Sequence, residues 1–164
     1  MRIGVIADTH LTKEKIPEKV LDLFTDVDAI IHCGDFVNDT VAEVLENLGK
    51  PFYAVFGNMD EDMIRKKYPR RQVLEFEGIK IGLFHGRGAP DEVRESVEMA
   101  FVDECVDAYV FGHSHEALNI EKDGKLFFNP GSATDKRRAP YCSFGILTVA
   151  DGEIHGEIIP LDKT

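Results

Sequence analysis

Apolar residues in this chain fall into short runs, and the spacers between the runs decide the fold class. Arg2 to Ala7, Ala29 to His32 and Phe52 to Phe56 are nearly continuous apolar stretches, the pattern of strands covered on both faces. Between them, from about Pro17 to Phe24 and from about Thr40 to Leu48, polar and apolar residues alternate at helical spacing. Pro17 suits a first helical turn, and Gly49 followed by Pro51 marks a stop. This βαβαβ rhythm predicts parallel strands. A short helix follows near Asp60 to Lys67, then strands at about Gln72 to Phe76 and Lys80 to Phe84 hinged at Glu77 and Gly78, then a helix from about Pro90 to Val102. The remainder reads as strands at Ala108 to Phe111, Leu118 to Glu121, Lys125 to Phe128, Phe144 to Val149 and Glu153 to Ile159, with Asp123-Gly124 and Asp151-Gly152 as hairpin turns. The expectation is an α/β fold with two sheets and helices outside them.

No repeat, low-complexity tract or linker divides the chain, so its 164 residues read as one domain, 1–164. Thirty acidic residues against nineteen basic ones leave a net charge of -11. Such a surface repels nucleic acid and anionic membranes, so neither is expected as a partner, and an anionic substrate needs a local positive centre. No apolar run approaches the roughly 20 residues of a membrane span, and the chain opens directly into a strand; the expected location is the cytoplasm. Cys33, Cys105 and Cys142 lack Cys-x-x-Cys spacing and read as reduced thiols.

The chemistry gathers where the apolar runs end. In order, the ends carry Asp8-Thr-His10, His32-Cys-Gly-Asp35, Gly57-Asn58-Met-Asp60, His85-Gly86 and Gly112-His113-Ser-His115. Carboxyl ends of parallel strands share one edge, where binding crevices form, so these segments are expected to converge. Imidazoles, carboxylates and one amide oxygen without a thiolate point away from a structural zinc cluster and toward a hydrolytic metal centre. In one arrangement Asp35 bridges two ions while Asp8, His10 and His115 serve one and Asn58, His85 and His113 serve the other, leaving open positions for a bridging hydroxide and substrate oxygens. Two divalent ions outweigh the two carboxylates, so the centre would be cationic within an acidic chain.

These blocks, in this order, resemble the signature of the calcineurin-like metallophosphoesterases, and the length resembles their short single-domain phosphodiesterase branch. The resemblance implies a four-layer αββα sandwich of two mixed sheets, the ligand assignment above, and hydrolysis of phosphate esters. It also implies two divalent metal ions, with manganese or nickel favoured and iron, zinc or magnesium possible. Two departures stand out. Met59 occupies the position where larger members carry a histidine thought to protonate the leaving group, and a thioether donates no proton. Arg87 stands where relatives carry a second histidine, and its guanidinium is a candidate for holding a phosphate oxygen beside Asn58.

The remaining candidates read more modestly. His32 is expected to hydrogen-bond beneath the metals, with proton donation as the lesser alternative. Asp60 reads first as the N-cap of the following helix and second as an acid or water-positioning group. Asn129-Pro-Gly-Ser132 reads as a turn bracing the site, Lys136-Arg137-Arg138 as a solvated or substrate-steering loop, and His155 as a solvated strand residue. The expected function is a metal-dependent phosphodiesterase acting on a small phosphate ester. Its alternative is a metal-binding interaction scaffold, since relatives of this size include a retromer subunit that holds protein partners. The sequence leaves the substrate, the native metal and a homo-oligomer open.

Overall fold

In the computed structural model, which describes residues 1–11 and 15–161, the opening strands pair in parallel as their spacers require. β1 (Arg2–Ile6), α1 (Glu18–Phe24), β2 (Ala29–His32), α2 (Asp39–Glu46) and β3 (Phe52–Ala54) form two consecutive crossovers. Ile3 lies opposite Ala29, and Ile30 opposite Phe52. α3 (Asp62–Lys67) then leads out of this sheet and into a second. There the hairpin β4 (Arg71–Phe76) and β5 (Ile79–Phe84) is followed by α4 (Val93–Ala100), β6 (Ala108–Val110) and the hairpin β7 (Leu118–Lys122) and β8 (Lys125–Asn129). The strand order is β4-β5-β6-β8-β7, with β5, β6 and β8 parallel.

The last hairpin, β9 (Cys142–Ala150) and β10 (Glu153–Leu161), departs from the simplest reading of the pattern. It returns to the first sheet, where β9 pairs antiparallel with β1, Arg2 opposite Thr148, giving the order β10-β9-β1-β2-β3. Both sheets are therefore mixed, and the free side of β1 is covered. Three two-residue turns close the hairpins, at Glu77-Gly78, Asp123-Gly124 and Asp151-Gly152, with φ of 50° and 84°, 52° and 73°, and 54° and 77°. Positive φ at both positions is the type I′ geometry that matches strand twist.

Four layers result. Ile3, Val5, Ile31, Val55, Val149 and Leu147 from the first sheet meet Ile81, Leu83, Val110, Leu126 and Phe128 from the second in the central core. Outside the first sheet, α1 and α2 bury Val20, Phe24, Val41 and Leu45 against Ile6, Ile30 and Phe144. Outside the second, α4 buries Val93 and Val97 against Phe84, Tyr109 and Phe127. Each fully buried aromatic or aliphatic side chain contributes roughly 1.5–3 kcal/mol. Among the described residues no helix is long and apolar enough to cross a membrane.

Candidate metal centre

Five strands deliver the candidate ligands to one edge. Asp8 and His10 follow β1, Asp35 follows β2, Asn58 follows β3, His85 follows β5, and His113 and His115 follow β6. The chain turns sharply there. Asp8, His10, Asp35, His113 and His115 all adopt left-handed backbone, with φ of 50°, 45°, 59°, 73° and 62°. Asp and His tolerate this region better than most residues, yet each such position still stores strain, of order 1 kcal/mol or more. Two glycines make room for the carboxylates. A Cβ at Gly57 would lie 2.1 Å from Asp35 Oδ1, and one at Gly112 would lie 2.8 Å from Asp8 Oδ2.

Seven donor atoms converge on this edge. His10 Nε2 and His115 Nε2 are 3.1 Å apart, His85 Nε2 and His113 Nδ1 are 3.2 Å apart, and Asn58 Oδ1 lies 3.2 Å and 3.1 Å from the latter two. Asp35 Oδ2 sits between the groups, 3.5 Å from His10 Nε2 and 3.3 Å from His85 Nε2. Asp8 Oδ1 lies 3.6 Å from His115 Nε2 and 3.8 Å from His85 Nε2. Among the described residues it is the one buried polar side-chain atom without a hydrogen-bond partner.

The protons of the imidazoles settle what these contacts are. His85 Nδ1–H donates to the Cys33 carbonyl at 2.8 Å, His113 Nε2–H donates to the Gly88 carbonyl at 2.9 Å, and His115 Nδ1–H donates to the Asp135 carbonyl. A carbonyl only accepts, so the other nitrogen of each ring faces the cluster, as a lone pair on His113 and His115 and on His85 once its second proton is released. Lone pairs and carboxylate oxygens facing one another at 3.1–3.8 Å repel unless a proton, as on His85, or a cation lies among them. Donors about 2.1 Å from a shared cation stand roughly 3.0–3.4 Å apart, from octahedral to tetrahedral geometry. The residues fit divalent metal. Asp8, His10 and His115 make one candidate group and Asp8, Asp35 and His85 another, with Asn58 and His113 adjoining the second.

Charge around the cluster is sharply uneven. Burial pushes Asp8 up to about 7, aided by the Asp35 charge and opposed by His85. Burial also pushes Asp35 upward, but the hydrogen bond and charge of His85 and the Met59 N–H outweigh it and hold the group at about 2. For His85 burial acts downward, yet the Asp35 hydrogen bond and the two carboxylate charges raise it to about 9. Burial lowers His10 and His113, and takes His115 down to about 4. Excess negative charge at the centre is thus held by whatever positive charge is nearest.

The other expected residues lie around this cluster. His32 is fully buried, stacked on Phe36 at 3.5 Å, and burial holds it well below its ordinary value. Its Nδ1 accepts the Gly34 N–H at 3.1 Å and its Nε2 meets Thr9 Oγ1 at 3.1 Å, so both nitrogens serve the backbone turns that carry Asp35 and His10. Neither nitrogen is left to deliver a proton in the cleft, which corrects the lesser reading of His32. Asp60 is not the N-cap of α3; Glu61 is, without a side-chain cap bond. The Asp60 carboxylate instead accepts three N–H groups, from Asp35 at 2.9 Å, Gly57 at 2.7 Å and Val37 at 2.8 Å. With both oxygens so engaged it fixes the two ligand loops instead of positioning water. Met59 is exposed, and its N–H donates to Asp35 Oδ1 at 2.9 Å. Arg87 is exposed beside His85, in a hollow also lined by Asn58.

Several supports were hidden in ordinary residues. Ser132 Oγ donates to the Asp8 carbonyl at 2.7 Å, and Thr134 Oγ1 donates to the Thr9 carbonyl. Asn129 Nδ2 donates to the Gly112 carbonyl and approaches Ser114 Oγ, each at 3.0 Å, bracing the His113–His115 loop. The turn at 129–132 is therefore a brace, as its position suggested. Arg137 pairs with Asp135 at 3.5 Å, and His155 is solvated beside Glu153.

With this geometry in hand, comparison with known proteins is informative. The model of the calcineurin-like phosphoesterase superfamily domain matches residues 1–152. A probable metallophosphoesterase of Methanocaldococcus jannaschii is 37% identical over 166 residues, spanning 99% of this chain and 83% of its own. A phosphodiesterase of the same organism is 31% identical over 146 residues, spanning 80% of this chain and 83% of its own. Among solved structures, Vps29 of Entamoeba histolytica complexed with zinc superposes with a TM-score of 0.76 at 25% identity, covering 98% of this chain and 99% of that one.

Proposed function

The chain belongs to the calcineurin-like phosphoesterase superfamily, and from that premise we propose that it is a phosphodiesterase working with two divalent cations, manganese or nickel by preference. The observation that carries this is the convergence of seven ligand-type atoms, the partnerless Asp8 Oδ1 among them. Asp35 would be the shared ligand: its Oδ2 lies 3.5 Å from a His10 nitrogen and 3.3 Å from a His85 nitrogen, closer to both than Asp8 Oδ1, which also adjoins both groups. Asp8, His10 and His115 complete one side; Asn58, His85 and His113 complete the other. When bound, the cations supply Lewis-acid polarisation of the ester oxygens and activation of water as the nucleophile.

The chain's own residues define the rest. Three carbonyl-anchored imidazoles hold fixed tautomers, so lone pairs aim at the reaction centre without reorganisation. Asn58 adds an oxygen without a charge, and Arg87 holds a nonbridging oxygen of the ester. Met59 offers no proton to the leaving group, so a good leaving group must depart as its anion. The diester preference is supported by the related phosphodiesterase of M. jannaschii.

Metal-loaded protein should hydrolyse bis(4-nitrophenyl) phosphate, and Asp35→Asn should lower turnover more than about 100-fold, beyond the cost of losing an outer-shell partner. Alkyl diesters should react far more slowly than aryl ones. Absence of turnover with every divalent ion would favour the interaction scaffold instead.

A further inference from the structure

A groove leaves the cluster on the side of Asn58 and His85. It consists of two adjoining hollows of about 290 Å³ and 470 Å³ that share Arg70, Phe84 and Arg87. Arg65 lines the first hollow and Arg71 the second. These arginines are distant in sequence but the β4–β5 register gathers them. Arg71 lies opposite Phe84, so the start of β4, with Arg70, meets the end of β5, where the chain runs on through His85 to Arg87. Arg65 comes from the last turn of α3.

Their charge is not neutralised locally. Arg71 pairs with Glu104, but among the described residues Arg65, Arg70 and Arg87 form no ion pair with a carboxylate. That is unusual where thirty acidic residues outnumber nineteen basic ones. Arg65 is also fixed: its Nε donates to the Asp60 carbonyl at 2.7 Å and one terminal nitrogen to the Asn58 carbonyl at 2.9 Å. A guanidinium has five N–H donors, so the rest remain for a ligand. Like charges held together in an acidic protein repel until an anion joins them. One phosphate oxygen near Arg87 does not account for three such groups along a groove.

We propose that the substrate of this centre carries a second phosphate group, which Arg65, Arg70 and Arg87 hold in the groove while the scissile diester lies at the histidine cluster. This rests on the phosphodiesterase reading and narrows it to a bisphosphorylated class of ester. Arginine suits the task because its planar fork matches phosphate oxygens in pairs.

Two measurements test it. Metal-free protein is titrated with methylenediphosphonate by calorimetry; Arg70→Gln and Arg87→Gln should each weaken binding about tenfold, the usual worth of a charged hydrogen bond. Arg94→Gln, whose guanidinium lies over Phe127 outside the groove, should leave it unchanged. Binding that ignores Arg70→Gln and Arg87→Gln, or that falls equally with Arg94→Gln, overturns the proposal. In the second, metal-loaded protein is given 4-nitrophenyl esters of propyl phosphate and of thymidine 5′-phosphate, each with and without a second phosphate on the propyl or 3′ carbon. The second phosphate should raise kcat/KM at least about tenfold. Equal gains in both pairs assign recognition to phosphate alone, and a gain confined to the thymidine pair assigns it to a nucleotide. Turnover of all four esters at one rate overturns the groove assignment and leaves the phosphodiesterase standing. Turnover of none removes the phosphodiesterase, while diphosphonate binding still reports on the arginines.

Discussion

The two sheets contribute unlike halves to one centre. The first supplies both carboxylates, the amide and one imidazole, through Asp8, Asp35, Asn58 and His10. The second supplies imidazoles only, through His85, His113 and His115. Each half is held partly by its own loops, as Asp35 is by the Met59 N–H and His113 by the Gly88 carbonyl, and partly by the other half. Asp8 Oδ2 of the first accepts the His113 N–H of the second at 2.9 Å, while His85 of the second donates to the Cys33 carbonyl of the first at 2.8 Å. Charge comes from one sheet and most of the neutral donors from the other, and Asp8 and His85 are tied to the backbone opposite. The centre is therefore a property of how the sheets face each other, more than of either strand set.

The comparison breaks most sharply at Gly57. A methyl group there collides with Asp35 Oδ1, so Gly57→Ala should cost about 1–3 kcal/mol of stability as an overpacked site. It should also lower diesterase turnover by more than about 100-fold, since displacing a ligand exceeds the loss of an outer-shell partner. Urea melts and a bis-aryl phosphate assay check both. His113→Ala, in the second half, should cost turnover to a similar degree but leave the melting temperature nearly unchanged, because His113 is only partly buried. A large loss of stability would show that the halves are not distinguished in this way.

Removing metal tests the clamp between the halves. Stripped protein should lose about 2.7 kcal/mol for each of the two cation sites relative to protein held at a hundredfold excess of cation over Kd, read as a lower melting temperature. Proton competition is a smaller lever. His85 retains its proton up to about 9 and must release it to ligate, so apparent metal affinity should rise with pH, about tenfold per unit between pH 7 and 9, and level above. Below about 7 the proton on Asp8 competes as well, and the slope steepens. Titration against a chromophoric chelator at several pH values measures it; a flat profile contradicts the assignment of His85. The smallest effect belongs beneath the first half: Thr9→Val removes the His32 partner and should cost about 1 kcal/mol in urea melts.

Much of this was legible in the chain because the informative signals are local. Apolar runs and helical spacing located the elements, and polar residues at the run ends located the donors. Boundaries moved by up to three residues where packing decides them, as in α4, which begins at Val93 because residues 90–92 form a turn ahead of it. What escaped the reading is non-local. Nothing in the β9–β10 sequence says that it returns to β1. Asp60 looks like a cap by spacing and becomes an acceptor for three N–H groups of two loops only once β2 and β3 are side by side. Arg65 lies in the run Arg65-Lys66-Lys67 and Arg70 beside Arg71, but neither run marks a site by itself, and the basic run beside the cluster, Lys136-Arg137-Arg138, binds largely to its own loop through Asp135 and the Ala139 carbonyl.

The return of β9 to β1 also sets an order of events. β1 carries Asp8 and His10, yet its second neighbour is made of residues 142–150, and the amino-terminal nitrogen itself donates to the Val149 carbonyl at 2.7 Å. During synthesis β1 must wait for residues 142–150 to leave the ribosome before its sheet can close. A contact of such long sequence separation forms slowly, so β1 is among the last strands to gain both of its neighbours.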